Sequence, residues 1–118
     1  MAGQVTTHVL DTARGVPAAG MRYLLYRVSG NSHRKIAEGV TNATGRTDAP
    51  LLAGKAMTIG SYELIFSVGD YLRVSGQAGA GLLFLEDVPI RFGVADDGAH
   101  YHVPLLVSPF GYSTYRGS

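Results

Sequence analysis

Histidine titrates near neutrality, so it can take and return protons or ligate a metal. The chain carries four: His8, His33, His100 and His102. His100 and His102 are two residues apart, so on a β-strand their side chains leave the same face. His8 alternates with Thr6 and Leu10, while Val5, Thr7 and Val9 take the opposite face. His33 falls in a polar stretch and reads as a solvated loop residue. Three chemistries fit the strand histidines. They can fill half-buried, hydrogen-bonded positions and do nothing more. They can ligate zinc, since His-X-His supplies two ligands from one face and a third histidine completes a catalytic set, although no carboxylate or cysteine stands nearby in sequence. They can also hydrolyse without a metal, one imidazole taking a proton from water and another returning one to a leaving nitrogen.

Hydrolysis needs a fixed cation where charge develops on the attacked carbonyl. Arg46, in the turn Asn42-Ala-Thr-Gly-Arg-Thr-Asp48, and Arg116, near the C-terminus, are the candidates, and spacing favours neither. Arg116 belongs to the block His100–Ser118, which ends in Tyr115-Arg116-Gly117-Ser118. Chain ends usually fray. This one is aromatic, cationic and glycine-hinged and follows a strand, so it is expected to pack, bringing Arg116 and the Ser118 hydroxyl near the two histidines. Other nucleophiles are excluded: there is no Gly-X-Ser-X-Gly elbow, no cysteine and no convincing carboxylate pair. Gly76-Gln-Ala-Gly-Ala-Gly81 lacks the strand–loop–helix setting and the lysine of a phosphate loop, and reads as a connection.

The elements that must position these residues alternate with a period of two. Tyr62, Leu64, Phe66 and Val68 share one face, with Ser61, Glu63 and Ser67 opposite; Val88, Ile90, Phe92 and Val94 repeat the pattern. Strands are predicted at Gln4–Asp11, Met21–Val28, Lys35–Thr41, Pro50–Leu52, Ser61–Val68, Asp87–Val94, His100–Ser108 and Gly111–Tyr115. Glycine- and proline-rich turns separate them. One helical turn is predicted at Asp70–Ser75, with Asp70 as its cap. Short strands at this spacing predict an all-β domain, a two-sheet β-sandwich, over residues 1–118.

Composition narrows the function. With 46% hydrophobic and 16% charged residues the chain is no disordered segment, and its sparse charge suits an oligomer that hides part of its exterior. A formal charge of +1, with scattered Lys and Arg, excludes a nucleic-acid footprint. No apolar stretch reaches membrane-spanning length. The first eight residues show no charged n-region followed by an apolar run, so a cytoplasmic protein is expected, or a periplasmic one if a leader has been removed.

Three segments resemble the 5-hydroxyisourate hydrolases of the transthyretin-like family. They are Thr7-His-Val-Leu-Asp-Thr-Ala-Arg-Gly-Val-Pro-Ala-Ala-Gly20, Thr44-Gly-Arg-Thr-Asp48 and the block His100–Ser118 with its Tyr-Arg-Gly-Ser ending. Gly60-Ser-Tyr-Glu-Leu64 fits the strand between them. Two features depart from the family pattern: Ala80-Gly-Leu-Leu-Phe-Leu85 replaces a common paired-phenylalanine–proline sequence, and the usual tryptophan is missing. The resemblance implies a transthyretin-like sandwich of about eight strands with one short helix. It implies a homotetramer with its sites at the dimer–dimer interface. It assigns His8, Arg46, His102 and Ser118 to catalysis and Tyr115, Arg116 and Gly117 to substrate binding, and leaves the role of the neighbouring His100 open. The implied reaction adds water to a cyclic amide of 5-hydroxyisourate, giving 2-oxo-4-hydroxy-4-carboxy-5-ureidoimidazoline, a step of urate catabolism in purine metabolism, with neither metal nor cofactor. A transthyretin-like carrier of small ligands, without catalysis, is the competing reading, and a purely structural sandwich is a third.

Overall fold

Alternating apolar side chains become strands here because one face of each finds a partner layer to bury against. The computed structural model describes residues 3–117. In chain order they form β1 (Gln4–Thr6), β2 (Val9–Asp11), β3 (Val16–Pro17), β4 (Arg22–Ser29), β5 (Ser32–Val40) and β6 (Leu52–Ala53). After a 3-10 turn at Gly54–Ala56 come β7 (Gly60–Ser67), α1 (Val68–Val74), β8 (Asp87–Val94), β9 (His100–His102), β10 (Leu105–Ser108) and β11 (Gly111–Ser113). One layer is the antiparallel sheet β5-β4-β7-β8. The other consists of β6-β1-β9 and β11-β10-β2-β3, which continue one another because β1 runs into β2 and β9 into β10.

That second layer explains a difference from the sequence reading. The strands expected at Gln4–Asp11 and His100–Ser108 run side by side in parallel, but each is interrupted, at Thr7–His8 and Val103–Pro104. Pro104 has no N–H to give the ladder. The bonds on either side survive: Val103 N–H donates to the Thr6 carbonyl at 2.8 Å and Leu105 N–H to the His8 carbonyl at 3.0 Å. The Thr7 hydroxyl covers the gap by donating to the Val103 carbonyl at 2.7 Å. With each interrupted strand counted once and the two-residue β3 set aside, the described residues form the sandwich of eight strands and one helix that was expected.

Val5 and Val9 of β1–β2, with Leu105 and Val107 of β10, belong to one buried cluster with Leu25 of β4, Tyr62, Leu64 and Phe66 of β7, and Val88 and Ile90 of β8. Each such side chain contributes roughly 1.5–3 kcal/mol on full burial. The core thus fixes the strands whose other faces carry His8, His100 and His102.

The helix begins earlier than expected, at Val68, directly from β7, because Val68, Gly69, Tyr71 and Leu72 face the core. Asp70 is not its cap; it lies in the first turn and pairs with Arg73 at 3.3 Å. The Glu86 carbonyl instead takes the Gly69 N–H at 2.8 Å. Buried Asp11 ties the helix to β2, accepting from the Tyr71 hydroxyl at 2.7 Å, Gln77 Nε2 at 2.8 Å, Arg14 Nε at 2.9 Å and Arg14 N–H at 3.0 Å. Burial pushes the carboxyl pKa up, but the bonds from Tyr71, Arg14 and Gln77 outweigh it and leave it lowered. The glycine-rich stretch at 76–81 follows the helix as a connection, anchored where Arg73 donates to the Gly81 carbonyl at 2.7 Å. His33 is not in a loop. It sits in β5 opposite Val28, with Nε2 3.1 Å from Arg91 Nη2 and 3.6 Å from Glu63 Oε1.

Candidate active site

Arg46 is held by a turn that the sequence writes out residue by residue. Asn42 Oδ1 accepts from Thr44 N–H at 2.9 Å, the Thr44 hydroxyl at 2.7 Å and Arg46 N–H at 3.2 Å. Asn42 Nδ2 donates to Asp48 at 3.0 Å. Gly45 has φ +77°, and a Cβ there would lie 2.4 Å from the Val9 carbonyl oxygen, so only glycine lets the turn reach β2. Val9 N–H then donates to the Gly45 carbonyl at 2.8 Å, and His8 and Arg46 face each other across a single antiparallel bridge. His8 Nε2 is 2.9 Å from the Thr44 carbonyl. A carbonyl only accepts, so His8 carries a proton on Nε2 and, when neutral, a lone pair on Nδ1.

His100 and His102 leave the same face of β9, as their spacing requires. The parallel register sets Thr6 opposite His102, and the Thr6 hydroxyl reaches both rings: His102 Nδ1 at 2.8 Å and His100 Nε2 at 2.7 Å. His102 is half-buried and His100 is exposed. Burial, followed by the charges of Arg46, His100 and His8, holds the His102 imidazole below its ordinary pKa. It is therefore neutral, and able to accept a proton, at neutral pH. Arg46, His100, His102, Thr6 and Asp48 border an open cavity of about 340 Å³, within the size range of small-molecule sites. Among the described residues no three of His, Cys, Asp and Glu converge to hold a metal ion.

Of the residues picked out in the sequence, Arg46 and His102 meet at this cavity, and His8 joins them through its bridge to Arg46. Gly117 reaches them too: it pairs with His102, its N–H donating to the His102 carbonyl at 2.8 Å. Tyr115 and Arg116 border a second cavity, of about 450 Å³, beside β8. There the Arg116 guanidinium lies 4.1 Å from the centre of the Tyr101 ring and donates to the His100 carbonyl at 3.2 Å. Ser118 lies outside the described residues. Thr6 escaped the sequence reading; the only signal for it was its place on the His8 face of the first strand.

An all-β sandwich with paired histidines and an arginine at one cavity defines a class, and comparison with known proteins identifies the family. The model of the HIUase/Transthyretin family matches residues 5–117, and the chain belongs to this family. The 5-hydroxyisourate hydrolase of Mesorhizobium japonicum is 57% identical over 116 residues, covering 98% of this chain and 93% of its own. The structure of Klebsiella pneumoniae 5-hydroxyisourate hydrolase superposes with a TM-score of 0.81 at 33% identity, covering 98% of this chain and 99% of that one. An (S)-allantoin synthase structure superposes with a TM-score of 0.93 at 47% identity over 99% of this chain, which spans 44% of that longer protein.

Proposed function

We propose that this chain hydrolyses 5-hydroxyisourate, opening its six-membered ring by adding water to a ring carbonyl. The observation that carries the reading is the meeting of neutral His102 and cationic Arg46 at one cavity, in a chain of this family. His102 Nε2 takes a proton from water as the oxygen bonds to the carbonyl carbon. The oxyanion formed is stabilised by Arg46, the cation that borders the cavity beside His102. The C–N bond then breaks, and the proton held by imidazole passes to the departing nitrogen. His8, with its lone pair on Nδ1, accepts a hydrogen bond from substrate or water. Gly117 keeps the tail against His102, and Ser118, next in sequence, supplies a hydrogen bond to substrate or water. Tyr115 and Arg116 border the second cavity, where Arg116 holds the tail against the Tyr101 ring and the His100 carbonyl.

We also propose a homotetramer, with sites formed at the dimer–dimer interface. The exposed Phe110, Tyr112 and Tyr115 support it, since an apolar strand edge favours cover by another copy. Sedimentation would give the mass of four chains; a monomer would overturn it.

The test of the activity generates 5-hydroxyisourate fresh with a urate oxidase and follows its absorbance decay. Catalytic amounts of protein accelerate the decay, and His102→Asn abolishes most of the acceleration with the fold retained. Binding at one molecule per site without turnover would instead make the chain a carrier.

A further inference from the structure

We propose that Thr6 and His100 form a proton relay behind His102, in which the Thr6 hydroxyl selects the tautomer of His102 and hands its proton on to His100. The proposal rests on the hydrolase reading and gives His100 and Thr6 the roles that the reading leaves open.

The geometry is a bridge. One hydroxyl oxygen lies 2.8 Å from His102 Nδ1 and 2.7 Å from His100 Nε2. A hydroxyl has a single proton to donate and two lone pairs to accept with, so it cannot donate to both rings, and at least one of them must present an N–H to it. The two rings therefore cannot choose their tautomers independently. When Thr6 donates to His100 Nε2, His102 must present Nδ1–H to Thr6, which leaves its Nε2 lone pair free to act as a base. When His100 carries a proton on Nε2, Thr6 turns to donate to His102 Nδ1, and His102 holds its proton on Nε2.

These two arrangements are the start and end of one transfer. Water gives a proton to His102 Nε2 as its oxygen bonds to the carbonyl carbon. The Nδ1 proton of His102 moves to the Thr6 oxygen, and the original hydroxyl proton moves to His100 Nε2. His102 ends neutral with Nε2–H, Thr6 ends as a hydroxyl, and the positive charge rests on His100. The reverse transfer delivers the proton to the departing nitrogen. The relay moves charge from a half-buried ring beside Arg46 and His8 to an exposed one, where water hydrates it. Asp48 across the cavity and the Arg116 guanidinium on the His100 carbonyl are the other charged groups facing the pair.

Long-range proton–nitrogen NMR on the ligand-free protein near pH 7.5 reads both tautomers without any substrate. His102 and His100 are expected to carry their protons on Nδ1, and Thr6→Val to abolish that preference; tautomers unchanged in Thr6→Val overturn the proposal. In turnover, Thr6→Val lowers kcat about 10-fold or more, as loss of a proton-transfer group does, with little change in KM. Thr6→Ser, which keeps the hydroxyl, recovers most of the loss. His100→Gln costs a similar factor in the wild-type protein and little further in Thr6→Val; fully additive losses overturn the relay. A wild-type protein without turnover would remove the hydrolase reading, whereas the NMR result decides the coupling of Thr6 to both rings on its own.

Discussion

The α-carbon of Gly117 rests on the imidazole of His102. A Cβ at Gly117 would lie 2.7 Å from His102 Cδ2 and 3.3 Å from Cγ, so no side chain fits there unless the ring moves. The same glycine donates its N–H to the His102 carbonyl, which fixes the tail to the strand from which the ring projects. The tail and the base are one packed unit.

Gly117→Ala tests that unit. The backbone pairing survives, but the ring must swing away, lengthening its 2.8 Å bond to Thr6. A displacement near 1 Å at a reacting group costs about 100-fold, so kcat/KM is expected to fall by that order while the melting temperature changes little. Steady-state decay of 5-hydroxyisourate and thermal unfolding of the same sample check this; wild-type turnover would refute it.

How much of this was legible in the sequence depends on range. Period-two alternation revealed β7 and β8 nearly to the residue, because burial on one face writes itself into the local pattern. The start of β5 stayed hidden because Ser32, His33, Arg34 and Lys35 are all exposed on an edge strand, and an unburied face leaves no apolar signature. Pro104 was visible but its consequence was not: the break matters only once β9–β10 pair with β1–β2. His8 and Arg46 were identifiable one by one, yet their bridge is a contact between residues far apart in sequence. Thr6 is the sharpest case. Its one local mark is its place on the His8 face, and only the parallel register of β1 with β9 sets its hydroxyl between two rings.

The lowered pKa of His102 makes a prediction with a definite sign. The acid limb of the kcat/KM profile assigned to His102 should lie below the ordinary imidazole value of about 6.5. Burial is the largest cause and the Arg46 charge the next, so Arg46→Met should move the His102 titration, followed by NMR, upward. For stability, a depressed native pKa means that the unfolded chain binds the proton first. The contribution of His102 is therefore complete above about pH 6.5 and lost as pH falls towards the native value. A His102 titration at or above 6.5 in the wild-type protein would refute the assignment.

Arg46 should act on the transition state more than on binding. Removing one donor to a developing oxyanion elsewhere costs about 100- to 1,000-fold in kcat. Arg46→Ala is expected to lose turnover on that scale with a smaller rise in KM. The fold should persist, because the Asn42 side chain and the Gly45 turn, not the guanidinium, hold the loop. Near-normal kcat with KM greatly raised would instead make Arg46 a binding residue alone.

Asp11 carries the last prediction, one of stability without chemistry. Its carboxylate is 2% exposed and gathers donors from the Tyr71 hydroxyl, Gln77 and Arg14, joining β2 to α1. Asp11→Asn turns an amide N–H₂ toward groups that themselves donate, so at least one buried donor loses its partner, at a cost of about 2 kcal/mol. The pH dependence follows from the depressed native pKa. The carboxylate stabilises the fold fully above its unfolded value of about 3.9 and progressively less as pH falls through its lower native value. Denaturant unfolding at pH 7 should show the variant less stable, and between pH 5 and pH 2 its loss of stability should be shallower than the wild type's, because one titrating carboxyl is gone. Equal acid slopes in the two proteins would mean that the network around Asp11 does not hold its charge. Turnover per folded molecule should be unchanged in the variant, since His8 and Arg46 are positioned by the Gly45 turn and not by the helix.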